Sequence, residues 1–71
     1  ALPEAGRVRI DVFDVRGRLV RHLADRHYTA GRHHVVWDGR DGQVRPVAAG
    51  VYYARLQVEG RTESRRLTVL R

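Results

Sequence analysis

Alternation of apolar and charged residues in short runs is the feature that most constrains how this chain can fold. Over residues 7–13, Val8, Ile10 and Val12 occupy every second position and charged residues stand between them. A period of two with β-branched residues on the apolar side is typical of a half-buried β-strand. The following Asp14–Gly17 segment begins with an aspartate, which can accept hydrogen bonds from the backbone, and ends with a glycine, which can adopt a positive φ. We therefore expect a strand that ends in a tight hairpin turn.

The next part of the chain is less regular. Residues 18–24 suit one helical turn as well as a strand, and their position after a hairpin turn favours a strand antiparallel to the first. Polar residues over 25–32 predict a loop, and alternation over His33–Trp37 predicts a third strand. The residues that follow favour turns, and Pro46 excludes a central strand there.

Two further alternating runs occupy the last third of the chain. Val51–Val58 predicts one strand and residues from about Thr62 to Leu70 predict the last, with Glu59-Gly60 as a hairpin loop between them. Short strands separated by frequent turn signals are typical of an antiparallel β-sandwich. We therefore predict a single all-β domain over residues 1–71, with about six short strands.

Two sets of structural residues follow from these patterns. The residues expected to form turns are Asp14, Gly17, Gly31, Asp38, Gly39, Asp41, Gly50 and Gly60. The residues expected to form the core are Val8, Ile10, Val12, Leu19, Val35, Trp37, Tyr52, Leu56, Val58, Leu67 and Val69.

Length and composition exclude several classes of protein. A chain of 71 residues has room for a single small domain with a thin core. The absence of cysteine excludes a disulfide scaffold and a thiolate metal site. No apolar run has the length of a membrane span, and no signal-peptide pattern opens the chain. Because the chain starts at Ala1 and contains no methionine, we expect it to be a piece of a longer protein.

The basic charge does not by itself indicate a nucleic-acid site. Fourteen basic residues, all arginine, and eight acidic residues give a net charge of +6. A surface that holds phosphates would cluster its cations, whereas these arginines are distributed along the whole chain with acidic residues among them. The pattern predicts a solvated surface of mixed charge. A basic nucleic-acid-binding domain, with arginines on phosphates and aromatic rings on bases, is a distant alternative.

Residues that could carry chemistry are few. His33 and His34 are neighbours on a predicted strand, so they point to opposite faces and cannot chelate one ion. Asp38 and Asp41 faintly resemble a calcium loop but lack its spacing, and we interpret them as turn caps. The one serine, Ser64, has no histidine near it in sequence. We predict no catalytic, metal-binding or cofactor-binding residues.

Four segments resemble one family of extracellular modules. They are residues 12–21 (VFDVRGRLVR), residues 31–41 (GRHHVVWDGRD), residues 48–56 (AAGVYYARL) and the closing residues 65–71 (RRLTVLR). Together they resemble the FlgD-type (flagellar hook-capping) Ig-like domain, which is close to the type A C-terminal sorting domain of the type IX secretion system.

The resemblance implies an Ig-like, fibronectin III-like antiparallel sandwich without catalytic activity. It also implies a C-terminal module of a larger bacterial protein that is exported through the periplasm and is secreted or placed on the cell surface. The expected role is secretion sorting and surface anchoring, with the secretion machinery as partner. The alternatives are a structural subdomain of a hook-capping-type assembly protein and an interaction module that uses an open sheet edge.

The chain departs from the family pattern at its start. Family members carry an additional leading strand before the position of Leu2-Pro3, so we expect this module to lack its first strand. A missing strand leaves unpaired backbone groups on its neighbour. The expected partners therefore include the upstream domain of the parent protein, a complementing strand from another chain, and a second copy bound through an open edge.

One outward face offers a candidate partner surface, which consists of Tyr53, Arg55, Gln57 and Arg65. Ordinary cross-strand pairing of aromatic and charged side chains is the alternative interpretation of these residues. No membrane insertion and no specific nucleic acid are expected.

Overall fold

Four antiparallel β-strands form the framework of the chain in the computed structural model, which describes residues 2–70. They are β1 (Gly6–Asp14), β2 (Leu19–Tyr28), β3 (Gly50–Val58) and β4 (Arg61–Val69). The strands form one sheet in the order β2-β1-β3-β4, and every neighbouring pair is antiparallel. Residues 2–70 contain no helix. The predicted all-β, antiparallel class is confirmed.

Alternation along β1 gives the sheet two different faces. Val8, Ile10 and Val12 are buried on the face that we call the inner face. Their cross-strand neighbours on β3 continue that face, since Ile10 pairs with Leu56 and Val12 pairs with Ala54. The opposite side of the sheet is called the outer face. The core is therefore thin and lies on one side of the sheet.

The second strand is longer than the sequence predicts. Residues 25–28 belong to β2 and not to the expected loop over 25–32, because the first half of β1 supplies partners for them. Arg9 pairs with Asp25 and Gly6 pairs with Tyr28. β2 is an edge strand, and polar side chains are compatible with such a position because they remain in solvent.

The predicted third strand over His33–Trp37 is wrong. Residues 29–49 form a long link between β2 and β3, called the connection below, and residues 32–38 within it form no β-bridge with any described residue. The connection crosses the inner face, where no strand of the described chain lies beside it to form hydrogen bonds. The second layer of the domain is therefore formed by the connection, and residues 2–70 contain four strands where about six were expected.

The connection is attached to the rest of the chain at its two ends. Leu2 and Gly31 form an isolated antiparallel bridge, with each backbone N–H donating to the other residue's carbonyl at 2.7 and 2.9 Å. Near the other end, the backbone N–H of Gly42 donates to the carbonyl of Val20 at 3.0 Å. These contacts hold the connection over the inner face.

Burial of the predicted core residues varies. Val8, Ile10, Val12 and Tyr52 are buried, and Trp37, Leu56, Val58, Leu67 and Val69 are half-buried. Leu19 and Val35 do not belong to the core, since 57% and 40% of their surfaces are exposed. Leu19 starts the edge strand β2 and pairs with Phe13 on the outer face, whereas Val35 lies in the connection, which covers the sheet only partly. Ala54, which alternation places on the same face as Tyr52 and Leu56, is also buried.

Candidate interaction surfaces

An open cleft lies between the inner face and the connection. Its volume is about 450 Å³. Val8, Ile10 and Leu56 line it from the sheet, and Val35 and Trp37 line it from the connection. Apolar side chains in a partly open cleft on so small a domain favour the binding of another apolar chain segment.

Two aromatic rings fix the position of the connection beside this cleft. Trp37 and Tyr52 meet edge to face, with their ring centroids 5.3 Å apart. The Tyr52 hydroxyl donates to the carbonyl of Ala48 at 2.7 Å, and Trp37 Nε1 donates to the carbonyl of Arg40 at 2.9 Å. Both rings therefore bury apolar surface while their polar atoms bond to backbone carbonyls in the connection.

Charged residues of β4 form the other rim of the cleft. Arg61, Glu63 and Arg65 alternate along the inner side of the strand and all three are exposed. The predicted grouping of Arg65 with Tyr53 is wrong, because Arg65 pairs with Ala54, which is on the inner face. Directly opposed residues in an antiparallel pair share a face, and register alone decides which face that is.

The other three residues of the predicted partner surface lie together on the outer face. Tyr53, Arg55 and Gln57 alternate along β3. The Arg55 guanidinium carbon lies 4.4 Å from the centre of the Phe13 ring, and Arg55 Nε is buried with no hydrogen-bond partner in residues 2–70. The arginine is thus stacked on an aromatic ring, which restrains its orientation.

A buried carboxylate lies next to this arginine and was not found by sequence reasoning. Asp11 is 1% exposed although it belongs to the outer face. Its Oδ1 lies 2.6 Å from His22 Nδ1, Arg9 Nε donates to its Oδ2 at 3.0 Å, and Arg55 Nη2 lies 4.0 Å from the same oxygen. Only the strand register places a histidine and an arginine on either side of it.

Asp14 occupies the first hairpin turn. Its Oδ1 accepts hydrogen bonds from the backbone N–H groups of Arg16 and Arg18 at 2.9 and 3.0 Å. The backbone N–H of Arg18, followed by that of Arg16, holds the pKa of Asp14 below its usual value. The carboxylate therefore acts as a turn cap.

The second aspartate-rich turn, in the connection, follows the same plan. Asp41 Oδ1 accepts hydrogen bonds from the backbone N–H groups of Arg45 and Gln43, which lower the pKa of Asp41. Asp38 Oδ1 accepts one from the backbone N–H of Arg40 at 3.0 Å. The φ angle is positive at the five glycines assigned to turns, Gly17, Gly31, Gly39, Gly50 and Gly60. These turn residues are spread over the domain and form no common site.

The histidines are separated in space. His22 contacts Asp11, and His33 packs edge to face on Tyr28 with ring centroids 5.0 Å apart. Within residues 2–70, no group of three or more histidine, aspartate or glutamate side chains is placed to hold a metal ion. The same residues include no helix that is long and apolar enough to cross a membrane.

Comparison with known proteins gives one match. The family model of the FlgD Ig-like domain matches residues 2–62, which include β1, β2, β3 and the start of β4. No curated protein and no solved structure matches the chain. The matched range covers most of the chain, agrees with the antiparallel all-β architecture and describes a type of module that is typically non-catalytic. The chain belongs to the FlgD Ig-like domain family.

Proposed function

We propose that the chain is a non-catalytic, protein-binding module of an exported bacterial protein, and that it binds by accepting a β-strand over its inner face. The observation that carries this proposal is the unpaired middle part of the connection. Residues 32–37 lie along the cleft and form no β-bridge within residues 2–70. Residues 32–36 are exposed, so their backbone N–H and C=O groups are accessible to a strand, which would bond to them in a regular ladder.

The Leu2–Gly31 bridge defines where the accepted strand would lie. Both hydrogen bonds of this pair are formed, so the backbone groups of Gly31 point towards Leu2. In an antiparallel pair that continues this bridge, the residues of the connection that bond to the strand alternate, so His33, Val35 and Trp37 would bond to it. A strand that continues the bridge antiparallel to the connection would bond to these three residues and cover the cleft.

Amide hydrogen exchange tests this arrangement directly. We would attach a short extension of alternating valine and threonine before Ala1, and compare it with a glycine-serine extension of equal length. We expect slower exchange at His33, Val35 and Trp37, and little change at His34 and Val36, because the latter two would not bond to the strand. Equal exchange with both extensions, or equal protection of all five amides, would reject the strand-acceptor site.

Two cellular roles use such a binding mode. In the first, the export machinery recognises the module and directs its parent protein to the cell surface, where the module anchors it. In the second, the module is a structural subdomain that helps to assemble an extracellular polymer of the hook-capping type. The family match does not distinguish between these roles.

An export experiment separates these roles. The 71-residue chain would be fused to a periplasmic reporter in a bacterium that has type IX secretion, with Val35→Pro and Val36→Pro as a matched pair of variants. Reporter on the surface that disappears in a translocon mutant and with Val35→Pro, but not with Val36→Pro, would support sorting through the accepted strand. A folded reporter fusion that stays in the periplasm would contradict sorting and leave the assembly role.

A further inference from the structure

The two edges of the sheet differ in how much the rest of the chain covers them. The connection reaches the β2 edge, where the backbone N–H of Gly42 donates to the carbonyl of Val20. Arg21 Nη1 donates to the carbonyls of Arg40 and Asp41, also in the connection. β4 is the last strand on the other side, and within residues 2–70 it pairs only with β3. The β4 edge is therefore the less covered of the two, and it is called the open edge below.

The hairpin geometry determines which backbone groups this edge presents. A two-residue loop joins β3 to β4, and Val58 and Arg61 are the first pair after it. In such a hairpin the first pair is hydrogen-bonded, so Arg61 directs its backbone groups to β3, and so does every second residue after it. The alternate residues Thr62, Ser64 and Arg66 direct their N–H and C=O groups to the open edge.

We propose that a second copy of this chain binds at the β4 edge, antiparallel, with Ser64 opposite Ser64 of the second copy. In this register Glu63 faces Arg65 of the second copy, and Arg65 faces Glu63 of the second copy. Two ion pairs therefore form across the two-fold axis, with both inner faces on the same side of an eight-stranded sheet. Thr62 faces Arg66 of the second copy, and because threonine is uncharged this pair involves no charge repulsion.

The side chains needed for these ion pairs are already available on the surface. Arg65 Nη2 lies 3.5 Å from Glu63 Oε2 within one copy, and 65% and 50% of the two side chains are exposed. An exposed ion pair of this kind contributes little to stability, so exchanging it for a pair across the strands has a low cost. Arg66 has no ion-pair partner within residues 2–70.

Charge selects this register against its neighbours. The inner faces stay on one side only when the partner strand shifts by two residues at a time. One such shift places Glu63 opposite Glu63 of the second copy and Arg61 opposite Arg65, and the shift in the other direction places Arg65 opposite itself. Like charges directly opposite each other destabilise a strand pair, so the register centred on Ser64 is favoured.

The assembly closes at two copies. Each copy uses its open β4 edge, and the remaining β2 edges are partly covered by the connection. A two-fold pair formed by the two β4 edges is an isologous dimer, and the contacts of the connection with Val20 and Arg21 hinder further pairing at the β2 edges. The dimer does not depend on the strand-acceptor proposal, because it uses the sheet edge and leaves residues 32–37 free.

Sedimentation velocity over a concentration series tests the dimer with charge-exchange variants of the 71-residue chain. We expect a concentration-dependent monomer–dimer equilibrium for the native chain. Glu63→Arg and Arg65→Glu should each weaken it about tenfold or more, since each replaces two attractive pairs by two repulsive ones. Glu63→Arg raises the net charge and Arg65→Glu lowers it, so loss of dimer in both cannot result from overall repulsion.

Two complementary samples restore the pairing. The double variant Glu63→Arg/Arg65→Glu regains both ion pairs with the signs exchanged, and should dimerise like the native chain. An equimolar mixture of the two single variants should form heterodimers with both pairs attractive. Circular dichroism checks that each variant keeps its β-structure.

Three results would overturn the proposal. These are a native chain that remains monomeric up to millimolar concentration, single variants that dimerise as well as the native chain, and a double variant that does not recover. A monomeric chain that binds an acidic strand of another protein at the same edge would assign the edge to a different partner.

Discussion

His22 Nδ1 lies 2.6 Å from Oδ1 of Asp11, and this contact joins the first two strands through a carboxylate that is only 1% exposed. Arg9 donates to the second oxygen of the same carboxylate. A buried charge is tolerated only when hydrogen-bonding partners replace the lost water. The outer face of the sheet is therefore held together by a polar contact, whereas the inner face is held together by apolar ones.

Replacing this carboxylate should destabilise the domain. Asp11→Ala removes the acceptor for His22 and Arg9, and we expect the free energy of unfolding to fall by about 2 kcal/mol. Urea denaturation measures the change. Glu4→Ala is the matched control, because Glu4 is exposed and forms no ion pair within residues 2–70, so its replacement should change stability by less than about 0.5 kcal/mol. Equal effects of the two substitutions would show that Asp11 is not a stabilising group.

The hydroxyl of Tyr52 should contribute measurably to stability. Tyr52→Phe keeps the ring against Trp37 and removes only the hydrogen bond to the carbonyl of Ala48, so we expect a loss of about 1 kcal/mol. Tyr53→Phe is the neighbouring control, since Tyr53 is 40% exposed on the outer face. A control variant that loses as much stability as Tyr52→Phe would contradict the assignment.

Backbone strain in the connection should be removable. Val44 has φ of 65°, and no other non-glycine residue in the described range has a positive φ. A β-branched residue is disfavoured there, whereas asparagine tolerates this conformation. Because Val44 is 61% exposed, Val44→Asn removes little buried apolar surface. The substitution should therefore raise the free energy of unfolding by about 1 kcal/mol. Val36→Asn, at an exposed position without positive φ, should be close to neutral in the same thermal melt.

Acid should weaken the first hairpin turn. The pKa of Asp14 is lowered in the folded chain by the backbone N–H groups of Arg18 and Arg16. A lowered folded pKa means that the carboxylate contributes its stabilisation above the unfolded pKa of about 3.9, and loses it as the pH falls through the folded value. We expect Asp14→Asn to have a shallower decrease in stability below about pH 4 than the native chain.

The comparison with Asp14→Asn separates the effect of titration from the effect of hydrogen bonding, because the asparagine side-chain oxygen can still accept hydrogen bonds from the backbone N–H groups of the turn. Unfolding would be followed by circular dichroism at a series of pH values. Identical pH dependence in the native chain and the variant would mean that other carboxylates, such as Asp25 and Asp41, account for the acid sensitivity; their pKa values are also lowered.

Local sequence patterns were sufficient to predict the strands that pair in β-hairpins. Alternation at Val8, Ile10 and Val12 identified β1 and its buried side, and the two-residue loop at residues 59–60 located the hairpin between β3 and β4. These features depend on neighbours within a few residues, so a single sequence contains the information that they need. The resemblance to the FlgD-type Ig-like domain also rested on local segments and is confirmed over residues 2–62, whereas the likeness to the type IX sorting domain is not shown.

Tertiary structure alone decided which residues meet across strands. Register placed Arg65 on the inner face, away from Tyr53, and brought Asp11 between His22 and Arg55. The connection is a second example. Its residues His33–Trp37 alternate as those of a strand do, but a β-strand also requires a neighbouring strand with which to form hydrogen bonds. Sequence period specifies which side chains share a face, whereas hydrogen-bonded pairing depends on distant residues that the pattern does not contain.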